Sequence, residues 1–423
     1  MENSTPFFMT HHSPVGAWSS FTFGLPGKGV SIDHESATLE NTADFLVAVS
    51  RGPGNVKAFP FVSGSSELDP ELKQVQGGTG SLSKTSNSIK DRWSFYKPSQ
   101  IHRVLTACVD QYTAEDLTLR VYTPHPALPD PDLNPSLKFA CCPGILMELT
   151  IDNSSHDQPA YGFIGMIYNL RGRIRPLDWS TRAHEHDGKL SGIAFSGNWA
   201  LAAKTIPGKV FTIRDNSIAD PVETGTPVVH NGGQEGGILM AVPGGAKETL
   251  QVAFGFYHER TATQVVSGNY YYNQYFNDVE AVCAYILNHA GEIQNQCRGF
   301  EESLGVDSLD WDKYQLFSQA IRAYYANSQL TVSAGKSFYN ICEGQYLWRN
   351  TLDLAVDHLP FELWRNPWLV RNIIDLYIDR YSYHDQVRFS QEPGLAFPGG
   401  LAFTHDMGNH TTYTPPGIGG YEK

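Results

Sequence analysis

The chain has 423 residues, 41% hydrophobic and 18% charged, with 44 acidic against 31 basic residues and a net charge of −13. This composition is typical of a globular protein with a large buried core and room for more than one domain. The acidic balance, with no cluster of Lys or Arg, makes nucleic acid and anionic membranes poor partners.

The N-terminal residues MENSTPFFMTHHSP contain neither the basic region nor the apolar region of a signal peptide. No stretch is apolar for long enough to span a bilayer, so the cytoplasm is the expected location. Cysteines follow no CxxC pattern and no regular spacing, which argues against a disulfide framework or a zinc knuckle. Six are present: Cys108, Cys141, Cys142, Cys283, Cys297 and Cys342.

The first part of the chain predicts strands. HHSPVGAWSSFTFGLPGKG, residues 11–29, is either a binding loop or a strand with its turns. Further on, apolar residues recur at every second position, and clusters of Gly, Pro, Asn and Asp separate the runs. Many strands without intervening helical patterns favour an antiparallel β-sandwich. The alternating residues are Leu117, Leu119 and Val121; Ile145, Met147, Leu149 and Ile151; and Val252, Phe254 and Phe256.

The period changes after residue 265, where apolar residues recur every three or four positions. We expect one long helix between Phe276 and Phe300, a second around Leu316 to Tyr324, a third after Asn350, and a fourth that begins with Asn366 as cap and Pro367 as first residue. The predicted domains are therefore a β-sandwich, residues 1–265, and an all-helical segment, residues 266–423.

The segment 338–364, FYNICEGQYLWRNTLDLAVDHLPFELW, places isolated carboxylates among aromatic and apolar residues. Glu343 is predicted at a strand or loop end. Asp353 and Asp357 share a face of the third helix, where Asp353 is also an ordinary first-turn carboxylate. Pro360 is expected to kink or shorten this helix. Its apolar stripe is Leu352, Val356, Leu359 and Leu363.

Three histidine groups suggest metal binding: His11 with His12, the HEHD run at 184–187, and His405–Asp406 with His410. Short spacing alone does not build a tetrahedral site, so no metal is predicted. The motifs of serine hydrolases, phosphate-binding loops and dinucleotide-binding folds are absent from the sequence. Carboxylates with aromatic side chains remain, and these are the groups that cleave glycosidic bonds.

Three segments in order resemble glycoside hydrolase family 52, the bacterial β-xylosidases: FFMTHHSPVGAWSSFTFGLPGKG, EGQYLWRNTLDLAVDHLPFELWRNPWLVRNIIDLYIDRYSY and PGGLAFTHDMG. The resemblance implies an N-terminal β-sandwich followed by an (α/α)6 helical barrel, and a retaining enzyme without metal or other cofactor. Glu343, in NICEGQYLWRNTLDL, occupies the place of the family's nucleophile. The resemblance suggests further residues for the xylose subsite: His11, His12, Asn340, Trp348, Asp353, Asp357, His405 and Asp406.

Family members continue beyond the position of Lys423, and the resemblance places their acid/base aspartate in that later part. The chain is therefore expected to be an N-terminal fragment with part of the barrel, nearly inactive alone and prone to aggregate through an exposed apolar face. The expected substrate of the complete protein is a xylo-oligosaccharide or another β-xyloside, from whose non-reducing end it releases xylose. Whether the complete protein forms a homodimer stays open.

Three other functions stay open at this point. A β-glucosidase of the related sandwich-plus-barrel group would differ in its preference for aryl glucosides over aryl xylosides. A noncatalytic carbohydrate-binding protein would bind sugar without forming a covalent intermediate. A metal-dependent hydrolase would need His184 and His186 to converge with other ligands.

Overall fold

The structure is a computed structural model. It is a mixed β and α fold made mostly of sheets, and seven α-helices lie within its described residues. The described residues are 5–34, 43–66, 87–133, 137–168, 174–177, 189–195, 198–230, 233–259, 261–305, 309–389 and 391–417.

Two large sheets form the first part of the chain. The eight-stranded sheet contains β7 (His102–Leu105), β8 (Val109–Ala114), β9 (Leu117–Tyr122), β10 (Gly144–Asp152), β12 (Ile174–Pro176), β13 (Leu190–Phe195), β14 (Trp199–Lys204) and β17 (Lys247–Phe256), in the order β12-β13-β14-β17-β10-β9-β8-β7. The six-stranded sheet contains β4 (Ala43–Ser50), β5 (Val56–Ala58), β6 (Ser94–Phe95), β11 (Ala160–Tyr168), β15 (Val210–Asp215) and β16 (Glu235–Val242), in the order β15-β16-β11-β4-β5-β6. All pairs are antiparallel except β5 with β6.

The two sheets pack face to face through one apolar core. The inward residues of β10 and β17 contact those of β4 and β11, so alternation along each strand puts every second side chain in this core. This confirms the three period-two runs predicted from the sequence. Their buried residues include Ile145, Met147, Leu149, Ile151, Val252, Phe254 and Phe256.

The N-terminal segment forms strands on the sandwich. They are β1 (Thr10–His12), β2 (Ser19–Phe23) and β3 (Ser31–His34), paired in that order. Phe21 and Phe23 are fully buried in the sandwich core. Between β1 and β2, residues 13–18 leave the sandwich, and Ala17 makes an isolated bridge with Gln329.

Two short helices, α1 (Asn87–Arg92) and α2 (Ala219–Thr224), lie within the sandwich region, and five follow it: α3 (Val279–Asn288), α4 (Ala290–Ser303), α5 (Trp311–Ala326), α6 (Leu352–Arg365) and α7 (Pro367–Arg380). The expected single helix between Phe276 and Phe300 is wrong, because it is divided at His289 into α3 and α4. Asp278 is the N-cap of α3, and its carboxylate accepts a hydrogen bond from the Ala281 N–H. Within the described residues, no helix is both long and apolar enough to cross a bilayer.

The expected all-helical segment also contains a sheet. Its strands are β18 (Asn269–Tyr270), β19 (Ser328–Ser333), β20 (Lys336–Glu343), β21 (Trp348–Arg349), β24 (Gly408–Asn409) and β25 (Thr412–Tyr413), paired in that order. A separate hairpin joins β22 (Ser382–Phe389) to β23 (Glu392–Phe403). The turn between β19 and β20 has Ala334 at φ +48° and Gly335 at φ +78°. Two positive φ values in a two-residue turn are typical of a tight hairpin. The dipeptide Ala334–Gly335 is not one of those that mark such a turn in a sequence, so the hairpin was not predicted.

The third and fourth helices differ in how well they were predicted. Asn366 and Pro367 begin α7 as expected. The periodicity also predicts five buried residues; four of them, Leu369, Ile373, Tyr377 and Tyr381, are buried, and the fifth, Ile374, is 46% exposed. For α6 the cap is Thr351 instead of Asn350, and the helix continues through Pro360 to Arg365.

The apolar stripe of α6 does not face a core. Val356 is 61% exposed and Leu363 is 51% exposed, and Leu352 is also exposed. Glu362 is the residue of α6 that is buried. The periodicity therefore predicted the helix correctly but assigned its faces wrongly.

Candidate active site

Glu343 ends β20 where the chain turns sharply. It pairs with Trp348 of β21, and a single 3-10 turn, Gly344–Tyr346, connects the two strands. The Leu347 N–H donates to the Glu343 carbonyl at 2.9 Å, and Leu347 itself has φ +61°. The side chain of Glu343 is half-buried. The turn fixes the backbone of Glu343 at the strand end, and its carboxylate remains partly exposed to solvent.

One side-chain hydrogen bond orients this carboxylate. The Thr351 hydroxyl donates to Glu343 Oε2 at 3.3 Å. Thr351 is buried and precedes the first turn of α6, where the Leu352 N–H donates to the His405 carbonyl at 2.8 Å. The start of α6, the end of β20 and the segment around His405 therefore meet at Glu343.

A buried network of side-chain amides lies next to the end of β20 and the start of α6. Asn350 has φ +47°, a left-handed conformation that Asn tolerates better than most residues. Its Oδ1 accepts from the Ile341 N–H at 2.7 Å, and its Nδ2 donates to Asn340 Oδ1 at 3.1 Å. Asn340 Oδ1 also accepts from the Tyr413 hydroxyl at 2.7 Å. Asn340 is completely buried, so its contacts fix the sheet and do not reach the surface.

Arg349 is a second buried anchor of this sheet. Its Nη1 donates to Gln329 Oε1 at 2.5 Å, and its Nη2 donates to the His410 carbonyl. The guanidinium lies 4.8 Å from the Tyr413 ring centroid and 5.7 Å from that of Trp18. Aromatic faces attract a cation when water is excluded. Arg349 thus joins the loop at Trp18 to the strands that position Glu343.

His405 and Asp406 lie together beside the start of α6. His405 Nδ1 is 3.1 Å from Asp406 Oδ2, and the Gly408 N–H donates to Asp406 Oδ1 at 2.8 Å. Burial, and then the charges of Asp406 and Asp353, raise the pKa of Tyr377. Its hydroxyl donates to the Asn350 carbonyl. Both aspartates are therefore close to Tyr377, Asp406 buried and Asp353 exposed.

His11 and His12 are on β1, in a different network. The Arg322 guanidinium can only donate, so His12 Nδ1, 3.1 Å from Arg322 Nη1, accepts. Its Nε2–H then faces Asp110 Oδ2 at 3.5 Å. Burial lowers the pKa of each histidine to about 4. Within the described residues, no contact joins either histidine to Glu343.

Of the predicted site residues, Trp348 pairs with Glu343 between β20 and β21, and Asn340, His405 and Asp406 belong to the networks described above. Asp353 lies exposed in the first turn of α6, and Asp357 is exposed one turn further along. Their roles in substrate binding stay predictions. The sequence analysis missed Trp18, Gln329, Arg349, Thr351 and Tyr413. Nothing local marks these residues, because their partners lie far away in the chain.

None of the described residues form a group of three or more His, Cys, Asp or Glu with metal-site geometry. The HEHD run at 184–187 lies outside the described residues. The ring of His410 contacts Trp18, with centroids 5.7 Å apart.

Comparison with known proteins assigns the family. The model of glycosyl hydrolase family 52 matches residues 21–423. The chain belongs to this family. Two proteins of Geobacillus stearothermophilus, each named beta-xylosidase, are 32% identical to it over 98% of its length. The chain spans 58% of the length of one and 67% of the length of the other.

Proposed function

We propose that the chain is the part of a retaining β-xylosidase that carries the nucleophile, Glu343. The observation behind the proposal is the position of this carboxylate, half-buried at the end of β20 and bonded by Thr351. The names of the two relatives support the xyloside substrate. We also propose the division near residue 265, with the helices after it as part of an (α/α)6 barrel.

The proposed reaction has two steps. Glu343, ionised, attacks the anomeric carbon of a β-xyloside at the non-reducing end and forms a glycosyl ester, while the aglycone leaves with a proton from a second carboxyl group. Water then cleaves the ester and releases xylose with retained configuration. Thr351 orients the Glu343 carboxylate. Trp348, Asp353 and His405 are proposed to contact the sugar.

The second carboxyl group must lie about 5 to 5.5 Å from Glu343 in a retaining enzyme. Glu362 follows Thr351 by eleven residues, about 16 Å along α6 at 1.5 Å per residue, so we do not assign it this role. Asp406 is buried and its oxygens are engaged by His405 and Gly408. The family resemblance places the acid/base aspartate outside these 423 residues, so we expect slow turnover from this chain alone.

Covalent labelling separates the nucleophile from the acid. In 2,4-dinitrophenyl 2-deoxy-2-fluoro-β-xyloside the leaving group departs without protonation, so ester formation requires only a correctly placed nucleophile. We expect one adduct per chain, on the peptide that contains Glu343, measured by mass spectrometry. Glu343→Gln should give no adduct, and Glu302→Gln, an exposed carboxylate on α4, should label as the wild type does.

Labelling of a different carboxylate would refute the assignment of Glu343. Faster labelling by the corresponding glucoside would refute the xyloside and favour a β-glucosidase. Reversible binding of xylose without any adduct would favour a noncatalytic carbohydrate-binding protein.

A further inference from the structure

A cavity of about 150 Å³ lies between α6 and α7. Glu343 does not line it, although Thr351, which donates to Glu343, does. The cavity walls are almost entirely apolar and include Leu354, Ala355, Leu359, Val370, Ile373 and Ile341. The cavity is open to solvent on one side, since Val356 and Ile374, 61% and 46% exposed, also line it. Its volume admits a molecule about as large as benzene. The volume therefore limits an occupant to a small, mainly apolar molecule.

Six residues with polar side chains also line this cavity: Tyr324, Asn350, Thr351, His358, Glu362 and Tyr377. Two of them, His358 and Glu362, belong to α6. Glu362 is 3% exposed, and its Oε2 accepts from Asn366 Nδ2 at 3.2 Å. Glu362 Oε1 and His358 Nδ1 are buried without a hydrogen-bond partner among the described residues. Four residues apart on α6, they share one face of the helix. A buried polar atom without a partner costs free energy, so a ligand that pairs with both atoms would gain affinity.

The protonation states of these two groups define what can pair with them. Burial raises the pKa of Glu362 to about 8, against an opposing effect of Arg365. Burial lowers the pKa of His358, against an opposing effect of Asp357. Near pH 7 both side chains are neutral. Because Glu362 Oε2 accepts from an amide, the proton belongs on Oε1, which donates, and the neutral imidazole can accept at Nδ1.

We propose that this cavity is a binding site for a small apolar alcohol of about the size of phenol. Its hydroxyl oxygen accepts a hydrogen bond from Glu362 and its hydroxyl proton is donated to His358, while the ring fills the apolar space between α6 and α7. This site does not depend on the proposed hydrolytic function.

Binding is tested with 4-fluorophenol and fluorobenzene, two probes that differ by the hydroxyl group, titrated into the 423-residue chain at pH 7 and followed by ¹⁹F NMR. We expect 4-fluorophenol to bind at least about fivefold more tightly, the effect of one hydrogen bond. Glu362→Leu should remove this preference, and so should His358→Phe. Ala355→Leu, which fills the cavity, should abolish binding of both probes.

Leu363→Ala is the matched control, since Leu363 is on the same helix but does not line the cavity, and it should leave both affinities unchanged. Circular dichroism establishes folding of each variant, and if Glu362→Leu is unfolded, His358→Phe decides. Equal affinity for the two probes, no binding at millimolar concentration, or unchanged binding in Ala355→Leu would each overturn the proposal.

Discussion

Glu343 depends on its neighbours to keep a single orientation. Two features hold it: the backbone of the turn after β20 and the hydroxyl of Thr351. Asn340 and Asn350 are buried, and the hydrogen bond between their side chains helps to fix the strands that carry Glu343. At the scale of single residues, the candidate site is therefore one half-buried carboxylate supported by uncharged hydrogen-bond partners.

Thr351→Val removes the hydroxyl and keeps the shape of the side chain. We expect about a tenfold slower rate of labelling by the fluoroxyloside, because the carboxylate loses a donor that orients it. Thr351→Ser retains the hydroxyl and should label within about twofold of the wild-type rate. Equal rates for Val and Ser variants would show that Thr351 does not position Glu343.

The buried histidine His12 predicts loss of stability in acid. Burial lowers its pKa to about 4, against 6.5 for the ordinary group, although Asp110 opposes the shift while Arg322 and Arg103 favour it. Between pH 6.5 and 4 the unfolded chain binds a proton that the folded chain does not. The free energy of unfolding should therefore decrease as the pH falls through this range, by up to about 1.4 kcal/mol per pH unit for each such group.

Urea unfolding at pH 7 and at pH 4.5 measures this dependence. His11 contributes in the same range, since its pKa is also lowered to about 4 by burial. His12→Gln should therefore reduce the pH dependence without removing it. An unaltered dependence in His12→Gln would contradict burial of a neutral His12.

At the scale of elements, α6 and α7 differ in how they use their apolar residues. α7 buries Leu369, Ile373 and Tyr377 against the core that also contains α3 and α5. α6 exposes much of its apolar stripe. The two helices have similar lengths and similar sequence patterns, so the pattern by itself does not distinguish a core helix from one whose apolar face lies at the surface.

This difference predicts unequal costs for the same substitution. Leu369→Ala should lower the free energy of unfolding by about 2 to 5 kcal/mol, because Leu369 is completely buried and leaves a cavity. Leu363→Ala, at a position 51% exposed, should change it by less than about 0.5 kcal/mol. Chemical denaturation measures both. Similar costs for the two variants would show that α6 is covered in solution.

At the scale of the whole molecule, a second apolar core joins the sandwich to the helices. It includes Ala200 and Ala253 from the eight-stranded sheet, Val282 and Ile286 from α3, and Trp18 from the N-terminal loop. α3 lies so close to the sheet that a Cβ on Gly255 would be 2.9 Å from Cys283 Sγ. The regions before and after residue 265 therefore share buried surface.

A shared core predicts that the chain unfolds in one step. Calorimetry should give a single transition, because the outer face of the sandwich and the helices lose their apolar contacts together. Trp18→Ala should lower the temperature of this one transition, since Trp18 is completely buried and its ring packs against the Arg349 guanidinium. Two separate transitions in the wild-type chain would contradict this coupling.

The sequence by itself determined the local features of the molecule. Alternation along β10 and β17 gave the faces of the sandwich strands, and Asn366 with Pro367 gave the start of α7, because these patterns depend only on neighbouring residues. The family resemblance singled out Glu343. The β19–β20 hairpin was missed, because Ala334–Gly335 is not one of the dipeptides that mark a two-residue turn.

Only the tertiary structure decided which side of α6 is buried, that His12 pairs with Asp110 and Arg322, and that Arg349 and Thr351 support the candidate site. These outcomes depend on partners tens to hundreds of residues away in the chain. Periodicity reports the spacing of apolar residues along one element, but burial is set by which other elements pack against it.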